Sequence, residues 1–367
     1  MPQRDGSEQP EHEQDGRHEH DGPDDGPDAV RVGSGHAAPW VRDVARRLRG
    51  ADVADALAVA AGLTDTVPRP GSGETLQRWE LLASVAAVNL TAARVLEAHL
   101  DAVAILAEAA EGQAVPATAT WGVFAAEAPG TSLVAREGAD GRWELQGDKR
   151  WCSLASRLTH ALVTAHVPDG RRLFAVELRQ SGVSVLPDAW HARGLVDVPS
   201  GPVRFDGALA RPVGATGWYL QRPGFAHGGI GVAACWYGGA VGIARAVARA
   251  ARRRNPDQLA LWHLGTLDLD LAVARAALAA AAADVDGGRA DAAAGELLAL
   301  RVRSVVASGA ERVLQRTGHA LGPAPLTLDA DHAARAADLT VYLRQHHAER
   351  DVARLGGLLV EKGSPPW

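Results

Sequence analysis

Leu145-Gln146-Gly147-Asp148-Lys149-Arg150-Trp151-Cys152-Ser153 is the stretch on which the reading of this chain turns. It sits within a longer segment, Trp121 to Ser156, that reads as strands joined by turns: Trp121 to Glu127, the break Ala128-Pro129-Gly130, then Arg142 to Leu145, the turn Gly147-Asp148, and an exit through Trp151. A Trp beside a hydroxyl at a strand end suits a flat aromatic cofactor. The indole offers a stacking face, and Ser153 offers a hydrogen bond at its rim. On the pattern alone, a core Trp is the simpler account.

Outward from this stretch, residues 119 to about 215 carry short runs of Val, Leu, Phe and Trp separated by Gly, Pro and Asp, such as His160 to Ala165, Leu173 to Leu178, Val183 to Leu186 and Val203 to Phe205. No helix-length periodic segment lies between them, which predicts an antiparallel barrel or sandwich. Gly228-Gly229-Ile230-Gly231 lacks both the next glycine and a preceding strand, so it is no dinucleotide fingerprint.

Both flanks read as helical. From Trp40 to about Ala114, apolar residues recur at turn spacing around a break at Pro68-Arg69-Pro70-Gly71-Ser72-Gly73, with one helix from Thr75 to about Leu90 and another from Thr91 to Ala110. In the second of these, Glu97, His99 and Asp101 interrupt an apolar pattern. Glu97 and His99 are two apart and cannot share a face, which argues against a metal pair and leaves a core-edge or surface role for both, with one free to meet a pocket. After about Arg222, segments Gly224 to Arg253, Gln258 to Asp286, Asp291 to Thr317 and Asp329 to Leu355 predict a four-helix bundle. Gly238, Gly239 and Gly242 within it would admit a neighbouring backbone, against a propensity cost of about 1 kcal/mol each.

The chain has 367 residues, 47% of them hydrophobic, enough for a large core and two or three structural units. Residues 1 to 35 hold ten acidic and three basic side chains, so of the net charge of −6 only about +1 is left for residues 36–367. A nearly neutral body excludes nucleic acid as the expected partner. The tail is nearly devoid of large apolar residues and is expected to be disordered, with His12 and His18-Glu19-His20 as solvated residues and no metal site. The two cysteines, Cys152 and Cys235, point to a reducing compartment. With no apolar h-region and no uninterrupted run of about 18 apolar residues, a cytoplasmic protein without a membrane span is expected.

Ala126-Glu127-Ala128-Pro129-Gly130-Thr131-Ser132, followed by Gly147-Asp148-Lys149-Arg150-Trp151-Cys152-Ser153, resembles the middle domain of acyl-CoA dehydrogenases, with Ala126 where a Thr is usual. The order helices, β domain, helical bundle fits that family over roughly residues 40 to 357. After the disordered acidic tail (1–35) expected from composition, the resemblance implies an N-terminal helical domain (36–117), a middle antiparallel β-barrel (118–218) and a C-terminal four-helix bundle (219–367). It also implies FAD as cofactor. Trp151, Ser153, Ala126 and Ser132 would then face the flavin, while Arg254 and Gln315 stand where the family holds the adenine end across a subunit boundary, in a dimer or tetramer.

In the family a carboxylate removes the proton α to a thioester while a hydride passes to the flavin. Matching Asp338 to Tyr342 with the usual segment puts Gln345-His346-His347 at that carboxylate's place, and the other position used in the family falls on Val232 or Ala233. None of these is acidic. His346 is therefore the first candidate for the base, as imidazole titrates near neutrality, with His347 next to it and Glu349 available one turn on. Three functions follow: α,β-dehydrogenation of an acyl thioester or related acyl substrate, a flavin monooxygenase of the same fold, or a catalytically degenerate oligomeric flavin-binding relative.

Overall fold

The computed structural model describes residues 29–35, 37–109, 116, 118–130, 132–186, 190–253 and 255–363. Helices α1 (Pro39–Leu48), α2 (Val53–Gly62), α3 (Thr75–Val88) and α4 (Leu90–Glu108) come first. Asn89 separates α3 from α4. Its Oδ1 accepts from Ala92 N at 2.9 Å and so caps α4, while its Nδ2 donates to the carbonyls of Leu48 and Ala51, both at 3.0 Å, tying down the end of α1.

Seven strands follow: β1 (Trp121–Phe124), β2 (Leu133–Glu137), β3 (Trp143–Lys149), β4 (His160–Val167), β5 (Gly170–Glu177), β6 (Val183–Val185) and β7 (Val203–Val213). Strands β4, β2, β3, β7 and β5 pair in that order and β5 pairs back to β4, closing a five-stranded barrel with β1 added at β4 and β6 at β7. The pairing is antiparallel except at β1–β4 and β2–β4, which are parallel. Register shifts between Leu145 and Gln146 on β3, a bulge that re-aims the strand shortly before Trp151. Gly147 next to it has φ +121°, and a Cβ there would collide with the Ser132 carbonyl oxygen, so only glycine fits.

The chain then returns to helix: α5 (Trp218–Gln221), α6 (Pro223–Arg253), α7 (Gln258–Asp286), α8 (Ala292–Leu321), α9 (Ala324–Leu328), α10 (Ala330–Tyr342), a 3-10 turn at Leu343–Gln345 and α11 (Glu349–Glu361). The expected close approach at Gly238 and Gly242 is made by α3. A Cβ at either position would strike the carbonyl oxygen of Ala83 or Ala87. The larger apolar core runs from α1 through the barrel interior to α8 and α10, and a second, smaller one joins the C-terminal part of α4 to β1, β4 and β5.

Three expectations need correction. The last bundle helix is broken: His346 is extended and Ala348 has φ +49°, so Asp329 to Leu355 is two helices joined by a 3-10 turn and a short extended linker rather than one. Residues 29–35 are not part of a disordered tail. Val30 and Val32 are buried, and their amides donate to Ser84 Oγ at 2.8 Å and Glu80 Oε1 at 3.0 Å on α3. Residues 1–28, with the histidines of the tail, lie outside the described residues. Finally, Gly147 and Asp148, read as a turn, lie inside β3 and pair with β7 just past its bulge. Helix α6 is long and apolar enough to cross a membrane by length and composition, and 78% of its apolar window is buried inside the protein, against α3, α7 and α8 among others.

Candidate functional site

Between the barrel and the helices lies a cavity of about 600 Å³. The barrel supplies Val123, Ala125, Ala126, Trp151 and Ser153; α4 supplies Arg94, Glu97 and Asp101; and the chain after α10 supplies Gln345 and His347. A second chamber of about 760 Å³ extends between α6, α8 and α11 and shares Glu97, Asp101, Tyr219 and His347 with the first.

The Trp151 corner is built from β3. Lys149 at its end is buried, and its ammonium donates to Glu127 Oε1 at 2.8 Å and to Thr164 O and Oγ1, both at 2.9 Å. Burial pulls its pKa below the ordinary lysine value, with Glu127 opposing. The chain leaves this anchor with Trp151 in the left-handed region at φ +62°, and the indole is 55% exposed. A bulky residue in that conformation stores strain, and such strain gathers at functional sites. Leu195, also on the cavity wall, has φ +50°. Next on the chain, Ser153 joins a hydrogen-bonded run in which Arg94 Nη2 donates to Ser153 Oγ at 3.4 Å, Ser153 and Ser200 hydroxyls are 2.7 Å apart, and Ser200 Oγ donates to Val198 O at 3.2 Å.

The loop at 190–198 closes the cavity against α10. Leu195 N donates to Asp338 Oδ1 at 2.6 Å, and Trp190 Nε1 donates to Leu195 O at 3.0 Å. Gly194 lies so close to α10 that a Cβ would run into the Ala337 carbonyl.

The opposite wall is charged. Arg94 donates to Glu97 Oε2 at 2.8 Å, and Tyr342 Oη donates to the same oxygen at 3.3 Å. Burial raises the Glu97 pKa, with Arg94 opposing; burial also raises that of Asp101, with Arg222, Arg78 and Arg94 opposing. Glu97 and Asp101 are one helical turn apart and line the same cavity, a pairing that the sequence reading missed by comparing Glu97 with His99. His99 points the other way, into the core. Its Nδ1 accepts from Trp121 N at 3.3 Å and its Nε2 meets Thr64 Oγ1 at 3.0 Å, while burial lowers its pKa to about 4.

Of the residues singled out from sequence, Trp151, Ser153 and Ala126 are brought together on one wall. Ser132 is exposed beside β2 and outside that wall. Gln315 is exposed on α8, remote from both chambers, and Arg254 lies outside the described residues. His346 is not on the cavity wall: its Nε2 is 3.1 Å from Ser304 Oγ and its ring stands edge-on to Trp236. Burial holds its pKa below the usual histidine value, Asp351 opposing and Arg303 reinforcing. Its neighbour His347 does line both chambers, with Nδ1 3.2 Å from Asp351 Oδ1. Glu349 is exposed at the start of α11, off both walls. No group of His, Cys, Asp and Glu suited to hold a metal occurs among the described residues.

Residues 124–208 match the family model of the acyl-CoA dehydrogenase middle domain. Among solved structures, KijD3 in complex with FMN and dTDP-3-amino-2,3,6-trideoxy-4-keto-3-methyl-D-glucose is similar over 90% of this chain and 95% of its own, at 19% identity and a TM-score of 0.75. TdsC from Paenibacillus sp. A11-2, a dibenzothiophene monooxygenase seen with FMN and indole, is similar over 89% and 95%, at 20% identity and TM-score 0.71. Butyryl-CoA dehydrogenase from Megasphaera elsdenii is similar over 89% and 100%, at 14% identity and TM-score 0.76. A comparison with curated protein sequences gave no match. With N-terminal helices, a middle barrel and C-terminal helices in the same order, the chain has the acyl-CoA dehydrogenase fold, and its residues 124–208 match that family's middle domain.

Proposed function

We propose that the protein is a flavin-dependent oxidoreductase that uses reduced flavin and dioxygen to oxygenate a small molecule held beside Trp151. The observation that carries this reading is the identity of the residues on the cavity walls where the dehydrogenases keep their carboxylate. Val232 lines the second chamber, Gln345 lines the first and His347 lines both, and none is an acid. The FMN in KijD3 and in TdsC supports the same reading.

A flavin fits the barrel wall: an exposed indole held in a strained conformation offers a stacking face, and small residues at 125 and 126 leave room beside it. Bound there, it would supply two electrons, so that dioxygen gives one oxygen atom to the substrate and the other leaves as water. Trp151 and Ser153 hold the ring, and Arg94 orients Ser153. The 190–198 loop excludes water through Trp190 and Leu195. His347, oriented by Asp351 at Nδ1, has Nε2 left to exchange a proton with the substrate. FMN is favoured over the FAD that the motif implies. The FMN held by KijD3 and by TdsC supports that choice.

The chain self-associates, on this reading, through α7, where Leu259, Trp262, Leu269 and Val273 form an exposed apolar stripe. Cys152 and Cys235 are both free and buried, which supports a reducing compartment.

The test is reconstitution with FMN, anaerobic titration with acyl-CoA thioesters from butyryl to palmitoyl, and reoxidation of the reduced complex by ¹⁸O₂ with indole as trial substrate. No bleaching by any thioester and one ¹⁸O atom in the product are expected. Bleaching would overturn the reading in favour of α,β-dehydrogenation, and failure to bind flavin would leave a degenerate relative.

A further inference from the structure

We propose that Asp101 anchors a basic nitrogen of the substrate. This rests on the reading of the two chambers as the substrate site. Asp101 lines both, and among the described residues its carboxylate makes no direct hydrogen bond or ion pair, with Arg222, Arg78 and Arg94 acting on it only through space. The other charged groups on these walls are matched. Glu97 has Arg94 and Tyr342, Glu127 has Lys149, Arg222 has Glu108, Glu296 has Arg354, Asp351 has His347, and Arg344 has Glu311. Arg303 donates to the carbonyls of Gly229 and Gln345 and lies over the Trp236 ring. One carboxylate is left over where the walls meet.

The fold makes room for it. Gly228 on α6 faces Asp101, and a Cβ there would lie 2.5 Å from Oδ1 and 3.3 Å from Cγ. A helix that gives up a side chain opposite a carboxylate, without offering a donor in exchange, leaves that carboxylate to the contents of the chamber. An ion taken from water without a partner is costly, and a carboxylate that protonates instead needs an acceptor for its hydrogen. A protonated amine entering the chamber supplies charge and donor together. Burial raises the Asp101 pKa, with Arg222, Arg78 and Arg94 opposing, and an arriving ammonium would act in the same direction as those arginines.

The test compares matched probes on the full chain: benzylamine with benzyl alcohol, phenethylamine with phenethyl alcohol, and hexylamine with hexanol, with dissociation constants taken at pH 8 by calorimetry and thermal shift. At least one amine should bind about 10- to 100-fold more tightly than its alcohol, the span of a charge-assisted hydrogen bond. Asp101→Asn should abolish the preference and leave alcohol binding unchanged. Gly228→Ala keeps the charge but displaces the carboxylate, and should reduce the preference while the chain stays folded. The proposal is overturned if no pair shows a preference for the amine, including the case in which neither member binds, or if the preference survives Asp101→Asn. Flavin binding, followed separately by quenching of flavin fluorescence, tells failure of this proposal from failure of the flavoprotein reading.

Discussion

Replacing Gly194 by alanine should loosen the barrel from the helices and open the cavity. The added Cβ would overlap the Ala337 carbonyl and lie 2.7 Å from Asp338 N. Both atoms are backbone, so no rotamer change relieves the clash and the 190–198 loop must retreat from α10. Overpacking of this kind costs about 1–3 kcal/mol. The retreat also stretches the 2.6 Å hydrogen bond from Leu195 N to Asp338 Oδ1, and a bond to a charged group is worth about 1.5–3 kcal/mol. The two losses overlap, so about 2–4 kcal/mol of stability should go, with a flavin affinity at least about tenfold weaker because Trp190 and Leu195 leave the wall. Urea unfolding measures the first quantity, and quenching of flavin fluorescence the second. Gly356→Ala is the control: a Cβ there meets nothing within 4 Å on an exposed helix, and a gain of about 0.5–1 kcal/mol is expected. A Gly194→Ala protein with the urea midpoint of the wild type would refute the account of how barrel and helices are joined.

Acid should destabilise the protein through His99. Its folded pKa of about 4 lies below the ordinary 6.5, so between those values the unfolded chain binds the extra proton, and stability is full above pH 6.5 and falls as pH drops toward 4. The difference corresponds to roughly 3 kcal/mol at most, and urea midpoints at pH 7 and pH 4.5 should show a drop that His99→Asn reduces. Trp151→Asn should preserve or slightly raise the melting temperature, since asparagine tolerates φ +62° better than Trp, yet weaken flavin binding about tenfold; unchanged flavin affinity would remove Trp151 from the site. Trp262→Asp on the α7 stripe should yield a monomer by sedimentation at micromolar concentration, and an unchanged sedimentation coefficient would place self-association elsewhere or exclude it.

Local chemistry made some of this legible from residues alone. The exit through Trp151 marks the strand whose end carries the corner of the cavity, whereas Gly147 and Asp148, which look like a turn, belong to β3 because its bulge absorbs the glycine. Gly238 and Gly242 announce a close backbone contact, although only the fold shows α3 as the partner. The break after Tyr342 carries no proline or glycine. It arises where Asp351, four residues beyond His347, accepts from that residue's backbone amide and leaves His347 facing the chambers. A sequence register therefore favoured His346 for a place that the turn gives to its neighbours. The matched charges on these walls come from segments spread between α4 and α11, so no spacing rule could have displayed Asp101 as the one left over. Val30 and Val32 were hidden for a similar reason: their acidic surroundings read as solvent, and the buried acceptors that hold them lie some fifty residues away.

The seating of α3 in the glycine groove of α6 makes the barrel an excursion from a helical body that is discontinuous in the chain. About 150 residues separate Ala83 and Ala87 from the glycines that receive them, and loops of that span close slowly. The two halves of that body therefore come together only after the whole intervening barrel has been synthesised. Removing residues 29–118 would strip α6 of its backbone neighbour and expose its apolar face, leaving a fragment prone to aggregate rather than a smaller folded protein.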